Sequence, residues 1–598
     1  MLAGFNIAHV SFMTRKKRKI FLSFILVVIL FAGGWFYSYL KNNILFKKQT
    51  SQPNQENKQL IISGGVVPHH LLANEIIEKF FQKLSQYQGI ENIVILSPDH
   101  YRKADKQNIL FITATQKEGF KINETAISFL SEKNNRVRTN EAAVFEDQGI
   151  TTPLIYLSKY FPETALIPIL ISPLVTQEEV KNLVNEINSI LPEHTIIIGS
   201  VDFTHYLPDA LLRLHDVKSI RVLSNFEENE FSNLDVDSWQ ALYGMRYFAQ
   251  LKGREKPIII NHKTSFDYFS ELPFNSQIAQ EGGTSYFSVI FEEGRAEKIS
   301  NQYNLLIVGD IMMGRGVQKF TDQFGLSYPF EKIKNIFKGW DIVFGNLEGP
   351  VMEKAPIISI TSLNFAYSPE VVQELQKIGF NLLTLANNHS LDKGEKVLEQ
   401  TRNYLLDYGI QPLGDYRSCD KKYYYRYHNI LFIGANLVYK NQYCVAEIEK
   451  NIKEIKQKDP SVFIIIIPHW GIEYVHRPNI FQEETSHTLI DAGADLIVGH
   501  HPHVVQSIEK YKDKLIFYSL GNFVFDMYGS KDVQQELALG IDWQDNQVTL
   551  YLIPLESNKS QLSLLQAKEQ EDFLNWLAQI SNPSLLDNIK SGIILYNQ

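Results

Sequence analysis

Short apolar runs that end in polar, histidine-bearing loops recur along most of the chain. Leu60-Ile61-Ile62 leads into Val66-Val67-Pro68-His69-His70, Ile93–Leu96 into Ser97-Pro98-Asp99-His100-Tyr101, and Thr195–Ile198 into Asp202-Phe203-Thr204-His205-Tyr206. Between them, 74–86 and 176–190 carry a helical apolar period. A second series begins near residue 304. Leu305–Val308 runs into Gly309-Asp310, Ile342–Phe344 into Gly345-Asn346-Leu347-Glu348, and Leu382–Leu385 into Ala386-Asn387-Asn388-His389. Ser461–Ile467 then leads into Pro468-His469, Leu496–Val498 into Gly499-His500-His501-Pro502-His503, and Leu515–Leu520 into Gly521-Asn522. Alternating strands and helices predict an α/β fold with largely parallel sheets, whose ligands bind beyond the carboxyl ends of the strands.

The N-terminus follows another pattern. The run 20–40 has no charged residue and follows Arg15-Lys16-Lys17-Arg18-Lys19. As a helix it would span roughly 30 Å, enough for a bilayer. The basic flank predicts a cytoplasmic 1–19 and a single-pass anchor over 20–40, with both globular parts extracytoplasmic at the cell membrane. A cleaved signal peptide is the alternative. The polar stretch 41–58 reads as a flexible linker, followed by domains over 59–296 and 303–556 and a C-terminal extension over 557–598. Within the extension, the apolar period of 568–580 predicts a docking helix.

Composition adds limits. A 44% hydrophobic and 21% charged chain of 598 residues can bury two large cores. A net charge of −9 supplies no basic face for nucleic acid. The two cysteines, Cys419 and Cys444, exclude a disulfide framework and a cysteine-rich zinc site, and leave one disulfide open.

Chemistry-bearing residues gather at the strand ends. In the second series Asp310, Glu348, Asn388, His469, His501 and His503 form an oxygen–nitrogen ligand set suited to one or two divalent ions such as Mn, Fe or Zn. His389 is placed as a general acid with Asp392 orienting it, and Arg315 and Asn346 as contacts to an anionic substrate. Glu473 either serves this site or pairs with Arg477 at helical spacing. Any one of these residues alone reads as a cap, turn or core group, but their joint arrangement does not. In the first series His69, His100, Asp202 and His205 share one sheet edge and predict a second polar pocket.

Val67-Pro68-His69, Ser97-Pro98-Asp99-His100-Tyr101 and Asp202-Phe203-Thr204-His205-Tyr206 resemble motifs of the Memo family, also called AmmeMemoRadiSam system protein B. The resemblance implies a fold like class III extradiol dioxygenases and a metal pocket of two histidines and a cysteine, with the histidines on His69 and His100 and with Asp202 and His205 beside them. Tyr243, before Gly244, occupies the cysteine's place in this reading, and Glu146-Asp147-Gln148 lacks the family's histidine. One Fe or Zn is the implied metal, in a metal-dependent oxygenase or a binding module.

The second series is similar to calcineurin-like metallophosphoesterases, and closer to the CapA family of poly-γ-glutamate capsule synthesis proteins. It carries Gly309-Asp310-Ile311-Met312-Met313-Gly314-Arg315, Gly345-Asn346-Leu347-Glu348, Ala386-Asn387-Asn388-His389, His469-Trp470-Gly471-Ile472-Glu473-Tyr474 and Gly499-His500-His501-Pro502-His503. The resemblance implies an αββα fold and a role in capsule or cell-envelope polymer synthesis, with the polymer or its biosynthetic machinery as partner. A metal-dependent hydrolase or transferase is one reading. A non-catalytic accessory that binds and helps assemble or export an anionic polymer is the other. Met312 stands where the phosphoesterase pattern has a metal-binding histidine, and Glu348 where it has a bridging aspartate.

Overall fold

Four strands of the first half are buried along their whole length and pair in parallel, in the order Ala165–Ile171, Asn92–Pro98, Thr195–Ser200, Ile62–Val67. Their continuous apolar runs follow from helices covering both faces. One face packs on Asn74–Leu84 and Gln148–Tyr160, the other on Gln177–Ile190 and Trp239–Leu251. Gln177–Ile190 starts at a reciprocal capping box, Thr176 with Glu179. The expectation of a largely parallel sheet holds only at the centre. Gly283–Glu292 joins Ile62–Val67, and Phe111–Thr113 joins Ala165–Ile171, both antiparallel, so the sheet is mixed.

The computed structural model describes residues 61–104, 110–269, 282–356, 359, 361–544 and 547–597. The basic segment 1–19, the expected anchor 20–40 and the linker 41–58 lie outside these residues. Among the described residues, no helix is long and apolar enough to cross a membrane.

The second half contains two sheets. In one, Gln302–Ile311, Ile342–Leu347, Leu382–Thr384 and Gln411–Leu413 run parallel, extended by the antiparallel strands Gln535–Gln544 and Gln547–Asn558. In the other, Ile430–Asn436, Phe463–His469, Leu496–Val498 and Lys514–Phe517 run parallel. Leu305, Ile307 and Phe344 of the first sheet meet Phe432, Ile465 and Val498 of the second in one core. Helices Arg315–Phe324, Pro369–Ile378 and Glu395–Asp407 cover the outer face of the first sheet, and Gln442–Lys458 and Ile480–Ala492 that of the second. The C-terminal helix Ala567–Ile580 docks Phe573, Leu574 and Leu577 into the inter-sheet core, each worth ~1.5–3 kcal/mol of burial. Cys419 and Cys444 form a disulfide, with Cα atoms 5.6 Å apart.

Residues 59–598 are one compact unit. Helix Asp209–Asn225 of the first half lies against the second. Its Arg221 guanidinium binds both carboxylate oxygens of Asp341 at 2.8 Å. Its Lys218 reaches Asp341 at 3.1 Å and the carbonyl of Trp340 at 2.7 Å.

Candidate metal centres

In the second half, the carboxyl ends of the parallel strands of both sheets converge. Asp310 pairs in register with Asn346 across adjacent strands, and His469 bridges to His500 across the other sheet. Gly499 allows the histidine loop to approach: a Cβ there would lie 2.2 Å from the Tyr518 carbonyl oxygen and 2.5 Å from the Trp470 indole nitrogen. His501 and His503 then adopt φ of 99° and 58°, a left-handed backbone that costs non-glycine residues of order 1–3 kcal/mol each.

The donors close on one another. Asp310 Oδ2 accepts the His501 backbone N–H at 3.2 Å and lies 3.4 Å from His503 Nδ1. His503 Nε2 and His389 Nε2 lie 3.9 and 3.8 Å from Glu348 Oε1. His469 Nε2 faces Asn388 Oδ1 at 2.7 Å, and its ring centre is 4.8 Å from that of His501. One ligand atom each from Asp310, Glu348 and His503 falls within a 4.8 Å cluster, and so does one each from Glu473, His501 and His503.

Burial and the neighbouring Asp310 charge push Glu348 up to about 7. Burial also acts to raise Asp310, but the hydrogen bond to His503 and the surrounding imidazoles hold it below the ordinary carboxylate range. For His503, burial is outweighed by Glu348 and Asp310, which raise it to about 9. Burial, reinforced by His503, lowers His501 to about 4. These residues fit a cation. Both Glu348 carboxylate oxygens and His501 Nδ1 are buried with no hydrogen-bond partner among the described residues, an arrangement that is costly without a counter-charge.

His389 Nδ1 contacts Asp392 Oδ2 at 2.9 Å, and the ring stacks on Phe365 at 4.2 Å. Burial is here outweighed by Asp392 and Glu348, so the imidazole holds its proton more tightly than usual. The two expected substrate contacts, Asn346 and Arg315, both have partners within the protein. Asn346 is fully buried, and its amide donates to Asp310 Oδ1 at 2.8 Å and faces His469 Nδ1 at 3.2 Å, so it braces the donors. The buried Arg315 guanidinium is ion-paired with Asp526, donates to the Ser362 carbonyl at 3.1 Å and packs over Phe365, so its two terminal nitrogens are engaged inside the protein while its Nε has no hydrogen-bond partner among the described residues.

In the first half, His69 Nε2 lies 3.1 Å from Asp237 Oδ2 and 3.5 Å from Asp202 Oδ2. His100 Nε2 lies 3.9 Å from Asp237 Oδ2. Ser200 holds His69 Nδ1 at 3.3 Å and Asp147 holds His100 Nδ1 at 2.7 Å, so both Nε2 atoms turn toward Asp237. Ligand atoms of His69, His100 and Asp237 cluster within 4.8 Å, as do those of Asp202, His205 and Asp237. Burial disfavours a charged His69, but Asp202 and Asp237 raise it to about 9. Tyr243 is not in this pocket. It is buried among Phe226 and Phe231, with its hydroxyl donating to Glu228 at 2.9 Å. The side chain that joins the two histidines is Asp237, just before helix Trp239–Leu251.

Sequence reasoning missed Asp237 because Asp-Val-Asp-Ser before an apolar period reads as a helix cap, a role that Ser238 does fill. It also missed Asn522, whose Oδ1 contacts His503 Nδ1 at 2.9 Å.

Residues 304–527 match the family described as bacterial capsule synthesis protein PGA_cap, and residues 31–268 match the Memo-like protein family. The capsule biosynthesis protein CapA of Bacillus anthracis is 33% identical over 249 residues, 38% of this chain and 61% of that protein. The PGA biosynthesis protein CapA of Bacillus subtilis is 36% identical over 239 residues, 37% of this chain and 62% of that protein. The chain thus spans about three fifths of the length of these two relatives. A MEMO1 family protein of Caldivirga maquilingensis is 19% identical over 257 residues, 39% of this chain and 91% of that protein. Among solved structures, a purple acid phosphatase from yellow lupin aligns at a TM-score of 0.24 and 10% identity, over 48% of this chain and 61% of that one. The N-terminal half of the chain is thus similar to Memo-like proteins, and the C-terminal half to bacterial capsule synthesis proteins of the PGA_cap type.

Proposed function

We propose that the second half is a divalent-metal-dependent hydrolase or transferase of metallophosphoesterase type. It acts on an ester or amide bond of an anionic envelope polymer of the poly-γ-glutamate kind, in a protein anchored by 20–40 with both halves outside the cell membrane. One observation carries the reading: Glu348 buries two unpartnered oxygens in a nest of Asp310, His503 and His389. Asp310, Glu348, Asn388, His469, His501 and His503 would hold the metal. Divalent ions, when bound, supply Lewis acidity and neutralise developing negative charge. The chain does the rest. Asp392 orients His389 through Nδ1, leaving Nε2 to give a proton to a leaving group beside Glu348. The Cys419–Cys444 disulfide supports an oxidising, extracytoplasmic setting.

Elemental analysis of the wild type and of His501→Ala/His503→Ala tests the metal, and a screen of phosphoester and γ-glutamyl substrates tests the reaction. Equal, negligible metal in both proteins defeats the proposal. Metal without turnover favours a polymer-binding accessory. His389→Ala is expected to lower turnover roughly 10²–10⁴-fold with metal content unchanged. In the first half, His69, His100 and Asp237 form an all-nitrogen-and-oxygen donor set for one Fe or Zn, in a binding module or an oxygenase.

A further inference from the structure

After His469 the chain turns back on itself. Gly471 has φ of 98° and Tyr474 of 64°, and the Tyr474 N–H donates to the Pro502 carbonyl at 2.8 Å. This clamp ties the 471–474 loop to the histidine loop and brings the Glu473 carboxylate against His501 and His503, with one ligand atom of each inside a 4.8 Å cluster. The histidine loop is bent to meet it, since His501 and His503 are themselves left-handed. Three such non-glycine residues, Tyr474, His501 and His503, on two facing loops are costly unless a contact between the loops is needed.

Glu473 has the neighbouring Tyr474 hydroxyl as a hydrogen-bond partner, but the cluster is not fully satisfied among the described residues. His501 Nδ1 is buried without a hydrogen bond among the described residues. His503 Nδ1 is engaged by Asn522, so only its Nε2 can take a ligand. The alternative role for Glu473, pairing with Arg477, is not realised among the described ion pairs. Meanwhile Met312 supplies no hard donor: it is buried in the apolar core, and its sulfur accepts the Gly314 N–H at 3.2 Å.

We infer that Glu473 is a metal ligand of the second-half centre, joining His501 at a solvent-facing cation position beside the one formed by Asp310, Glu348 and His503. The inference rests on the metal reading of this half proposed above. A carboxylate from an exposed loop with a buried imidazole suits a hard or borderline divalent cation such as Mn(II). Because the carboxylate comes from the exposed side, this position is the more readily exchanged of the two.

Mn(II) titration of the full chain tests it, read by equilibrium dialysis and by the electron paramagnetic resonance of free Mn(II). The proteins compared are wild type, Glu473→Gln, Glu473→Asp and Asp310→Asn. Glu473 is exposed, so its variants should fold, and thermal unfolding without metal checks that they do. Glu473→Gln should weaken one class of Mn(II) by at least the roughly 10–100-fold that outer-shell losses cost, and Glu473→Asp should restore part of it. If Glu473→Gln titrates like wild type while Asp310→Asn loses Mn(II), Glu473 is not a ligand and the metal reading stands. If wild type takes up neither Mn(II), Fe(II) nor Zn(II) at millimolar concentration, both fall.

Discussion

Asn522 Oδ1 lies 2.9 Å from His503 Nδ1, while the Asn522 amide nitrogen donates to the carbonyls of His503 and Val533 at 3.3 and 3.0 Å. The two carbonyls fix which way the amide points, so its oxygen faces the imidazole and places the ring proton on Nδ1. In the neutral ring that a metal would require, His503 Nε2 is thereby the nitrogen that carries the lone pair toward Glu348. Replacing Asn522 with Ala should lower Mn(II) affinity roughly 10–100-fold without removing a ligand, as measured by equilibrium dialysis.

Asp341 governs the acid stability of the joint between the halves. Burial acts to raise its carboxyl, but Lys218 and Arg221 hold it at about 2. Against an ordinary value of 3.8, this corresponds to stability on the order of 2–3 kcal/mol. The folded value is the lower one, so the contribution is full above about pH 4 and is lost as pH falls toward 2. Asp341→Asn removes the buried carboxylate that Lys218 and Arg221 share, leaving them only the half-buried Glu230 and Glu227, and should cost up to ~3–5 kcal/mol near neutral pH. Chemical denaturation from pH 2 to 7 should show the wild-type advantage shrinking in the acid range.

Glu348 should trade metal binding against the stability of the metal-free chain. Glu348→Gln removes a buried carboxylate that repels Asp310, so the metal-free variant should unfold no earlier than wild type. Wild type should gain about 2.7 kcal/mol from a metal at a hundred times its Kd, and the variant should gain almost none. Thermal unfolding with Mn(II) and with chelator reads both effects.

The disulfide closes the loop between residues 25 apart in sequence and ties the segment before Tyr425–Tyr427 to the start of helix Gln442–Lys458. Its reduction, or a Cys419→Ser/Cys444→Ser double substitution, should lower stability by roughly 2–4 kcal/mol. Denaturant unfolding with and without reductant measures the loss.

The period of apolar residues was enough to locate most elements. Helix Gln177–Ile190 and strands Asn92–Pro98 and Phe463–His469 lie within two residues of the runs that predict them, because buried strands read as unbroken apolar segments. Edge pairing was not legible. Gly283–Glu292 is as apolar as its neighbours, and nothing local marks it as antiparallel.

By itself the sequence determined the α/β alternation, the two series of strand ends and the donor residues crowded onto them, since these depend on side-chain period and residue type. The tertiary structure decided what each donor faces. Asp237 rather than Tyr243 joins His69 and His100, Asn346 and Arg315 are engaged inside the protein, and Glu473 reaches His501 and His503 across two facing loops. Such contacts depend on loop geometry and on the packing of distant strands, and no local spacing encodes either.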